Sequence, residues 1–133
     1  MKYVLDTNVC IRLLKGTSPQ MKQRIAVVRE EDVCVPAIVR YELYYGAYKS
    51  DRKEQTLNAL NDFFSQYETA SFDDSCARLC GEIRANLEKQ GLPIGPYDLL
   101  IAATAIRHGL ILVTHNTNEF SRVKQLVIED WEG

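Results

Sequence analysis

Short apolar runs recur along this chain, and stretches with helical periodicity separate them. The clearest runs cover residues 3–5, 33–35 and 110–114, and none of them alternates between apolar and polar residues. Such runs are typical of strands that are buried on both faces of a parallel sheet. Weaker runs at 69–72 and 125–128 complete the set. The sequence therefore predicts an α/β fold of three layers (α/β/α), with a short, mostly parallel central sheet of about five strands.

Proline, glycine and helix-capping residues mark the ends of the helices between these runs. Pro19 and Pro96 occupy first-turn positions, and Gly16 and Gly109 follow helical stretches. With 133 residues and neither a linker nor a repeat, we expect residues 1–133 to form one domain. The predicted helices cover residues 9–15, 19–29, 37–48, 51–66, 73–90, 96–108 and, as a short turn or helix, 118–121.

The composition excludes several classes of protein. Hydrophobic residues make up 46% of the chain and charged residues 26%, which is ordinary for a globular protein. No apolar stretch approaches the roughly 20 residues that span a bilayer, and Asp6 comes too early for the apolar core of a signal peptide. We therefore expect a cytoplasmic protein without a membrane partner. The net charge of −2 gives no global positive field, although Arg40, Lys49, Arg52 and Lys53 gather locally.

Asp6 follows the first apolar run directly and opens the polar triplet Asp6-Thr7-Asn8. In open α/β sheets, ligands and catalytic groups collect just beyond the carboxyl ends of the strands. One interpretation therefore gives Asp6 a chemical role at that edge of the sheet. The other makes Asp6 the N-cap of the following helix, since Asp, Thr and Asn all cap helices well. The triplet alone leaves both interpretations open.

Two further acids lie within helical stretches that are otherwise largely apolar. Glu42 has apolar and aromatic neighbours at helical spacing, and an acid in such a place needs an ionic partner, such as Arg40, or a bound cation. Asp98 lies in the first turn of its helix, where the helix dipole alone contributes about 0.3–1 kcal/mol. Because the rest of that helix is apolar, we expect Asp98 to open onto a crevice.

Polar residues also follow the fourth apolar run. Asn116 and Glu119 should lie at the same edge of the sheet as Asp6, because parallel strands place their carboxyl ends together. His115 is a candidate general base, but the sequence shows neither a nucleophile nor an orienting acid for it.

Asp6, Glu42, Asp98 and the Asn116/Glu119 pair are therefore expected to face one pocket. Two carboxylates 4 Å apart repel each other by about 1 kcal/mol in water and by about 4 kcal/mol near a protein surface. Such a set requires a divalent cation, and oxygen ligands favour Mg²⁺ or Mn²⁺ over zinc. The sequence thus predicts metal-assisted hydrolysis of phosphodiester bonds, without a serine or cysteine nucleophile.

Four segments around these residues resemble the PIN-domain ribonucleases, and among them the VapC toxins of type II toxin–antitoxin systems. The segments occur in the order that the family has, and the resemblance spans essentially the whole chain. They are residues 3–8 (YVLDTN), 39–46 (VRYELYYG), 96–103 (PYDLLIAA) and 112–120 (LVTHNTNEF).

The resemblance implies an endoribonuclease that depends on Mg²⁺ or Mn²⁺. It assigns Asp6, Glu42 and Asp98 to the acidic core that holds the metal. The family's fourth acidic position falls on Asn116, where Asp is commonest, so Glu119 becomes the candidate for the missing carboxylate. The supporting residues that the resemblance implies are Thr7 and Asn8 of the first motif and the hydroxyl residue Thr114.

The resemblance also implies partners. These are a second copy of the chain, an RNA substrate and a cognate VapB-type antitoxin, through which alone the toxin would reach DNA. Close relatives of this pattern cut initiator tRNA in the anticodon stem-loop, so tRNA is the favoured substrate. Nothing in the residues themselves selects tRNA over ribosomal or messenger RNA.

Other functions fit parts of the same pattern. A haloacid-dehalogenase phosphatase also places Asp after its first strand, but it requires a second acid where this chain has Asn8. A receiver domain has a similar length and an acidic pocket, but adjacent acids after the first strand and a lysine after the last are missing. A nuclease-inactive docking module that keeps the fold is the third alternative.

Two other sets of residues have both a chemical and a structural interpretation. Cys76 and Cys80 are four apart on a predicted helix, but no further pair of zinc ligands accompanies them, which favours buried thiols. Three tyrosines stand at positions suited either to stacking on bases or to packing in the core or in a dimer. They are Tyr41, Tyr44 and Tyr45.

Overall fold

Five parallel strands form a single sheet in the computed structural model, which describes residues 1–132. The order across the sheet is β3-β2-β1-β4-β5, and every neighbouring pair is parallel. The predicted α/β class and the number of strands are confirmed. The strands are β1 (Tyr3–Leu5), β2 (Val33–Pro36), β3 (Glu68–Ala70), β4 (Ile111–Val113) and β5 (Ile128–Glu129).

Helices connect the strands and cover the sheet on both faces. Because parallel crossovers are right-handed, the change of direction at β1 puts the helices before β3 on one face and those after it on the other. A single 3₁₀ turn at Glu30–Asp32 precedes β2. The helices are α1 (Thr7–Lys15), α2 (Pro19–Val27), α3 (Ala37–Lys49), α4 (Lys53–Phe64), α5 (Asp74–Lys89), α6 (Pro96–Arg107) and α7 (Thr117–Phe120). None of the helices within residues 1–132 has the length and apolar character needed to cross a membrane.

Several predicted boundaries were wrong by a few residues. Helix α2 ends at Val27 instead of residue 29, because Val28 is already in extended conformation before the 3₁₀ turn. Strand β3 ends at Ala70, since the chain leaves the sheet before Asp73 caps α5. The last strand begins at Ile128 instead of residue 125, because turns occupy the chain until Val127 first bonds to β4.

The centre of the core is the pair of strands β1 and β4 with α6 packed beside them. Val4, Leu5, Leu112 and Val113 have no exposed surface, as expected for strands covered on both faces. At Gly109 the chain turns sharply from α6 into β4 with a φ of 67°. The N–H of Gly109 bonds to Ile106 and that of Leu110 to Ala105, the bonds of a Schellman motif, in which glycine is favoured.

The strand order fixes where a site can form. In a sheet of this kind ligands bind in the crevice at which the strand order reverses, which here lies between β1 and β4. Leu5 is paired with Val113, so the residues that follow them, Asp6 and Thr114, leave the sheet side by side. The backbone N–H of Asp6 donates to the carbonyl of Val113 at 3.2 Å.

Candidate active site

Asp6 lies at the bottom of the crevice between β1 and β4, and only 4% of its surface is exposed. Its Oδ1 accepts a hydrogen bond from the backbone N–H of Val9 at 2.8 Å, which caps α1. Its Oδ2 accepts a short hydrogen bond from the hydroxyl of Thr114. Burial raises the pKa of Asp6, against the lowering effect of these two hydrogen bonds, and the charge of Glu42 raises it further. Asp6 is therefore both a helix cap and a buried acid at the predicted edge.

Glu42 approaches this crevice from the middle of α3. The hydroxyl of Thr7, the first residue of α1, donates to its Oε1 at 2.9 Å. The alternative partner Arg40 lies elsewhere: its guanidinium donates to the carbonyl of Tyr67 at 2.8 Å and covers the ring of Phe64. Glu42 is thus held by a neutral donor, and the predicted alternative of an ion pair with Arg40 is wrong.

Asp98 and Glu119 form the other side of the group. The pKa of Asp98 is raised to about 7. Burial is the largest cause, and the charge of Glu119, a hydrogen bond with Glu119 and the charges of Asp6 and Glu42 follow in that order. A Cβ placed on Gly95 would lie 3.5 Å from Oε1 of Glu119 and 3.6 Å from Oδ2 of Asp98. The two carboxylates therefore flank the same glycine, and Asp98 is the one that holds a proton near neutral pH.

Glu119 stays ionised because two N–H groups bind it. The backbone N–H of Gly95 donates to Oε1 at 2.6 Å, and Nδ2 of Asn116 donates to Oε2 at 3.0 Å. These bonds lower the pKa of Glu119, in that order of size. The sequence did not single out Gly95, because a backbone N–H leaves no signature in residue type.

Thr114 and Asn116 connect the two sides. The hydroxyl of Thr114 donates to Asp6 and accepts from the backbone N–H of Asn116 at 3.0 Å. Asn116 in turn donates to Glu119. Hydrogen bonds through Thr114 and Asn116 therefore link the buried acid that follows β1 to the acid of α7. In this arrangement the side chain of Asn116 orients Glu119, at the position where Asp is commonest in the family.

The remaining predicted residues lie at the rim. Asn8 is exposed, and its backbone N–H is among the hydrogen bonds that lower the pKa of Asp6. His115 turns towards β5, where its Nδ1 lies 2.9 Å from Oδ2 of Asp130. Asp130 is an acidic partner of His115 that the sequence analysis did not identify. It follows the last strand at the same edge as Asp6, which is the signal that would have identified it.

The donor set suits a hard divalent cation. Its candidate ligands are carboxylate oxygens. After burial, the charge of Glu42 raises the pKa of Asp6, and the charges of Glu119, Asp6 and Glu42 raise that of Asp98. Within residues 1–132 no three side chains of His, Cys, Asp or Glu are arranged as a ready-made metal site. Cys76 is buried, and its thiol contacts the carbonyl of Ser71.

Comparisons with known proteins extend these observations. A family model described as "PIN domain" matches residues 3–126. The chain is 40% identical to a tRNA(fMet)-specific endonuclease VapC of Shigella flexneri over 98% of both chains. It is 38% identical to Ribonuclease VapC2 of Rickettsia felis over 99% of both.

Solved structures agree with the sequence comparisons. A DNA-bound VapBC complex of Salmonella typhimurium contains a chain that superimposes with a TM-score of 0.93 and 39% identity, with 98% of both chains covered. VapBC-1 of nontypeable Haemophilus influenzae gives a TM-score of 0.90 at 31% identity and covers both chains completely. The family predicted from the four motifs is confirmed: this chain belongs to the PIN-domain family and, within it, to the VapC ribonucleases.

Proposed function

We propose that this chain is the toxin of a toxin–antitoxin pair and cleaves RNA endonucleolytically with the help of a divalent cation. We further propose tRNA as the substrate, cut in the anticodon stem-loop of initiator tRNA so that translation stops. The observation that carries the proposal is the meeting of Asp6, Glu42, Asp98 and Glu119 at the crevice where the strand order reverses. The name of the Shigella relative supports the choice of substrate.

The cation would be held by Asp6, Glu42 and Asp98, and Mg²⁺ or Mn²⁺ fits their oxygen donors. When bound, such an ion activates water and stabilises negative charge on the scissile phosphate. Burial, and after it the charges of Glu119, Asp6 and Glu42, raise the pKa of Asp98, and the charge of a bound cation would offset these effects. Binding near neutral pH should therefore release a proton from the Asp98 carboxyl.

The other residues of the group keep the acids in position. Thr114 holds one oxygen of Asp6, and Thr7 holds one oxygen of Glu42. Both donors are neutral, so they orient the carboxylates without cancelling the charge that attracts the cation. Asn116 holds Glu119 in the same way.

The proposed partners follow from the same family. We propose an antitoxin that covers the acidic crevice, DNA contact only through that antitoxin, and a homodimer of the toxin. The Salmonella and Rickettsia neighbours, which are VapBC assemblies bound to DNA, support the antitoxin partner and the contact with DNA. We place the reaction in the cytoplasm, where the proposed substrate is found.

Cleavage of a mixed RNA pool that includes tRNA tests the proposal. The purified chain is incubated with the pool in Mg²⁺, in Mn²⁺ or in EDTA, and the cleavage ends are mapped. Asp6→Asn is the inactive variant, because Asn still caps α1 while one negative charge is removed. Asp62→Asn is the matched control, since it removes an exposed acid on α4.

We expect specific ends in Mg²⁺ or Mn²⁺, none in EDTA, and none with Asp6→Asn. Cleavage that persists in EDTA would contradict the role of the cation. Cleavage of another RNA class would replace the proposed substrate while keeping the nuclease. A folded chain that neither cleaves RNA nor binds Mn²⁺ in calorimetry would reject the proposal and favour a nuclease-inactive docking module.

A further inference from the structure

The large apolar side chains that are exposed on α3 and α6 are all tyrosines. They are Tyr41, Tyr45 and Tyr48 on α3 and Tyr97 on α6. No exposed leucine, isoleucine, valine or methionine accompanies them on these two helices. Tyr41 and Tyr97 directly precede Glu42 and Asp98 in the sequence.

Tyr41 and Tyr97 meet across the gap between the two helices. Their hydroxyl oxygens are 3.3 Å apart, and their rings make an edge contact with centroids 6.0 Å apart and an interplanar angle of 71°. Their exposed fractions are 52% and 43%, so ring surface remains open to solvent. The pair adjoins the acids in the chain, since each tyrosine precedes one of them, and the pKa of Tyr97 is raised first by the hydrogen bond with Tyr41 and further by the charge of Glu42. The two rings thus form an oriented aromatic surface at the rim of the crevice.

The chemistry of this position selects the kind of group that can bind there. Among the described residues no basic side chain forms an ion pair with Glu42 or Asp98. Their negative charges therefore repel any phosphate of the RNA other than the one at which the cation is bound. A neutral aromatic ring has no such conflict and offers a π-face, on which any nucleic-acid base stacks. Only unpaired bases expose their faces, so the ligand must be a loop or single strand.

We propose that Tyr41 and Tyr97 form a platform on which an unpaired base of the RNA stacks, next to the phosphate that is cleaved. This inference rests on the proposed ribonuclease function and adds a residue pair that selects unpaired RNA. The pair positions substrate and takes no part in the chemical step.

A second copy of the chain suits this surface less well than a base does. A stable protein interface buries about 800 Å² on each partner and excludes water from an apolar centre. Here the tyrosines stand alone beside ionisable carboxylates, whose burial in an interface would cost desolvation energy. A base that stacks on the tyrosine rings at the rim of the crevice leaves those carboxylates accessible.

Binding and cleavage by alanine variants test the platform. The probe is a synthetic anticodon stem-loop of initiator tRNA, and binding is measured in the Asp6→Asn background so that the RNA stays intact. We expect Tyr41→Ala and Tyr97→Ala to weaken binding by roughly 5- to 100-fold and to raise KM more than they lower kcat. Tyr97→Phe should stay close to wild type, since it keeps the ring. Tyr48→Ala, two turns further along α3, is the control and should bind normally.

Removing the base instead of the ring gives an independent test. Single abasic sites are placed in turn in the loop of the probe. At one loop position the abasic site should weaken binding to the wild-type protein by the same factor as Tyr97→Ala weakens binding of the intact probe. When this abasic probe is bound to Tyr97→Ala, the affinity should fall no further. Full additivity at every loop position would overturn the inference.

A fluorescent reporter separates loss of stacking from loss of folding. The chain has one tryptophan, Trp131, which is 3% exposed and packs against Tyr3. In Tyr97→Trp the new indole should be quenched when the stem-loop binds, whereas the wild-type signal should barely change.

These experiments can reject the platform without rejecting the proposed ribonuclease function. If the wild type cleaves RNA while Tyr41→Ala and Tyr97→Ala bind and cleave normally, the platform alone is rejected. If both variants lose affinity and light scattering shows that their oligomeric state has also changed, the surface is an interface between copies of the chain. The platform is then rejected. If the wild type neither binds nor cleaves RNA, the proposed function and the platform fail together.

Discussion

Replacing Asp98 by Asn should stabilise the cation-free protein at pH 8 and at the same time abolish the proposed activity. The pKa of Asp98 is raised from 3.8 to about 7, by burial first and then by Glu119. A carboxyl group whose pKa is higher in the folded protein than in the unfolded chain contributes stability that is complete below the pKa of the unfolded chain. This stability is lost as the pH rises through the pKa of the folded protein. Above pH 7 the folded wild type therefore carries a charge that opposes folding.

The size of the effect follows from the same numbers. A change from 3.8 to about 7 corresponds to roughly 4 kcal/mol at 1.36 kcal/mol for each pH unit. Because the side chain is only half-buried, screening by solvent reduces this to roughly 1–2 kcal/mol. In a chain of 133 residues that is a rise of about 3–8 °C in Tm.

Thermal unfolding in EDTA at low salt measures the effect. At pH 8 Asp98→Asn should melt above the wild type, and at pH 5 the difference should shrink to roughly a third, because only part of the titration has occurred there. Adding Mg²⁺ at pH 8 should raise the Tm of the wild type and have little effect on the variant. Asp62→Asn serves as the control and should show no pH-dependent difference.

An Asp98→Asn variant that is less stable than the wild type at pH 8 in EDTA would contradict this prediction. That result would mean that Asp98 makes a favourable interaction as an anion, in conflict with four acids that share one crevice.

Three further outcomes are expected. Thr114→Val removes the hydroxyl that binds buried Asp6 and should cost roughly 1–3 kcal/mol in urea unfolding, while Thr114→Ser should recover most of this. Glu119→Gln removes the largest charge acting on Asp98, so NMR titration should show the pKa of Asp98 falling towards its ordinary value; an unchanged pKa would contradict the pairing. Ser18→Ala removes the side-chain cap of α2 and should cost roughly 0.5–2 kcal/mol without changing cleavage, and loss of cleavage in a folded variant would refute this separation of roles.

The strands and the edge of the sheet at which the candidate acids lie were predictable, because buried parallel strands have a strong local pattern; the order of the strands was not. Residues 3–5 and 110–113 are apolar throughout, and each run is followed at once by a polar residue, Asp6 after the first and Thr114 after the second. The parallel arrangement then brings Asp6 and Thr114 to the same edge without further information. The last strand was misplaced because Val123 and Leu126, which are buried in a turn, have the same apolar character as strand residues.

Contacts between distant residues were not predictable from the sequence. No local feature of the sequence indicates that Arg40 binds the carbonyl of Tyr67 and not the carboxylate of Glu42. The partner of Arg40 depends on how α3 and α4 pack. The pairing of His115 with Asp130 likewise requires β5 to lie beside β4. Sequence spacing locates the ends of elements, whereas tertiary packing decides which side chains meet there.

The hydrogen bond between Thr114 and Asp6 joins residues that are 108 positions apart. A ribosome that adds 5–20 residues each second needs roughly 5–20 s to make the chain between them. Throughout that interval the N-terminal strand exists without its neighbour β4, and the acids of the crevice cannot assemble. Under the proposed function, a nascent chain would therefore be inert while it is still being translated, and the toxin could not arrest its own synthesis before nearly all of it had been made.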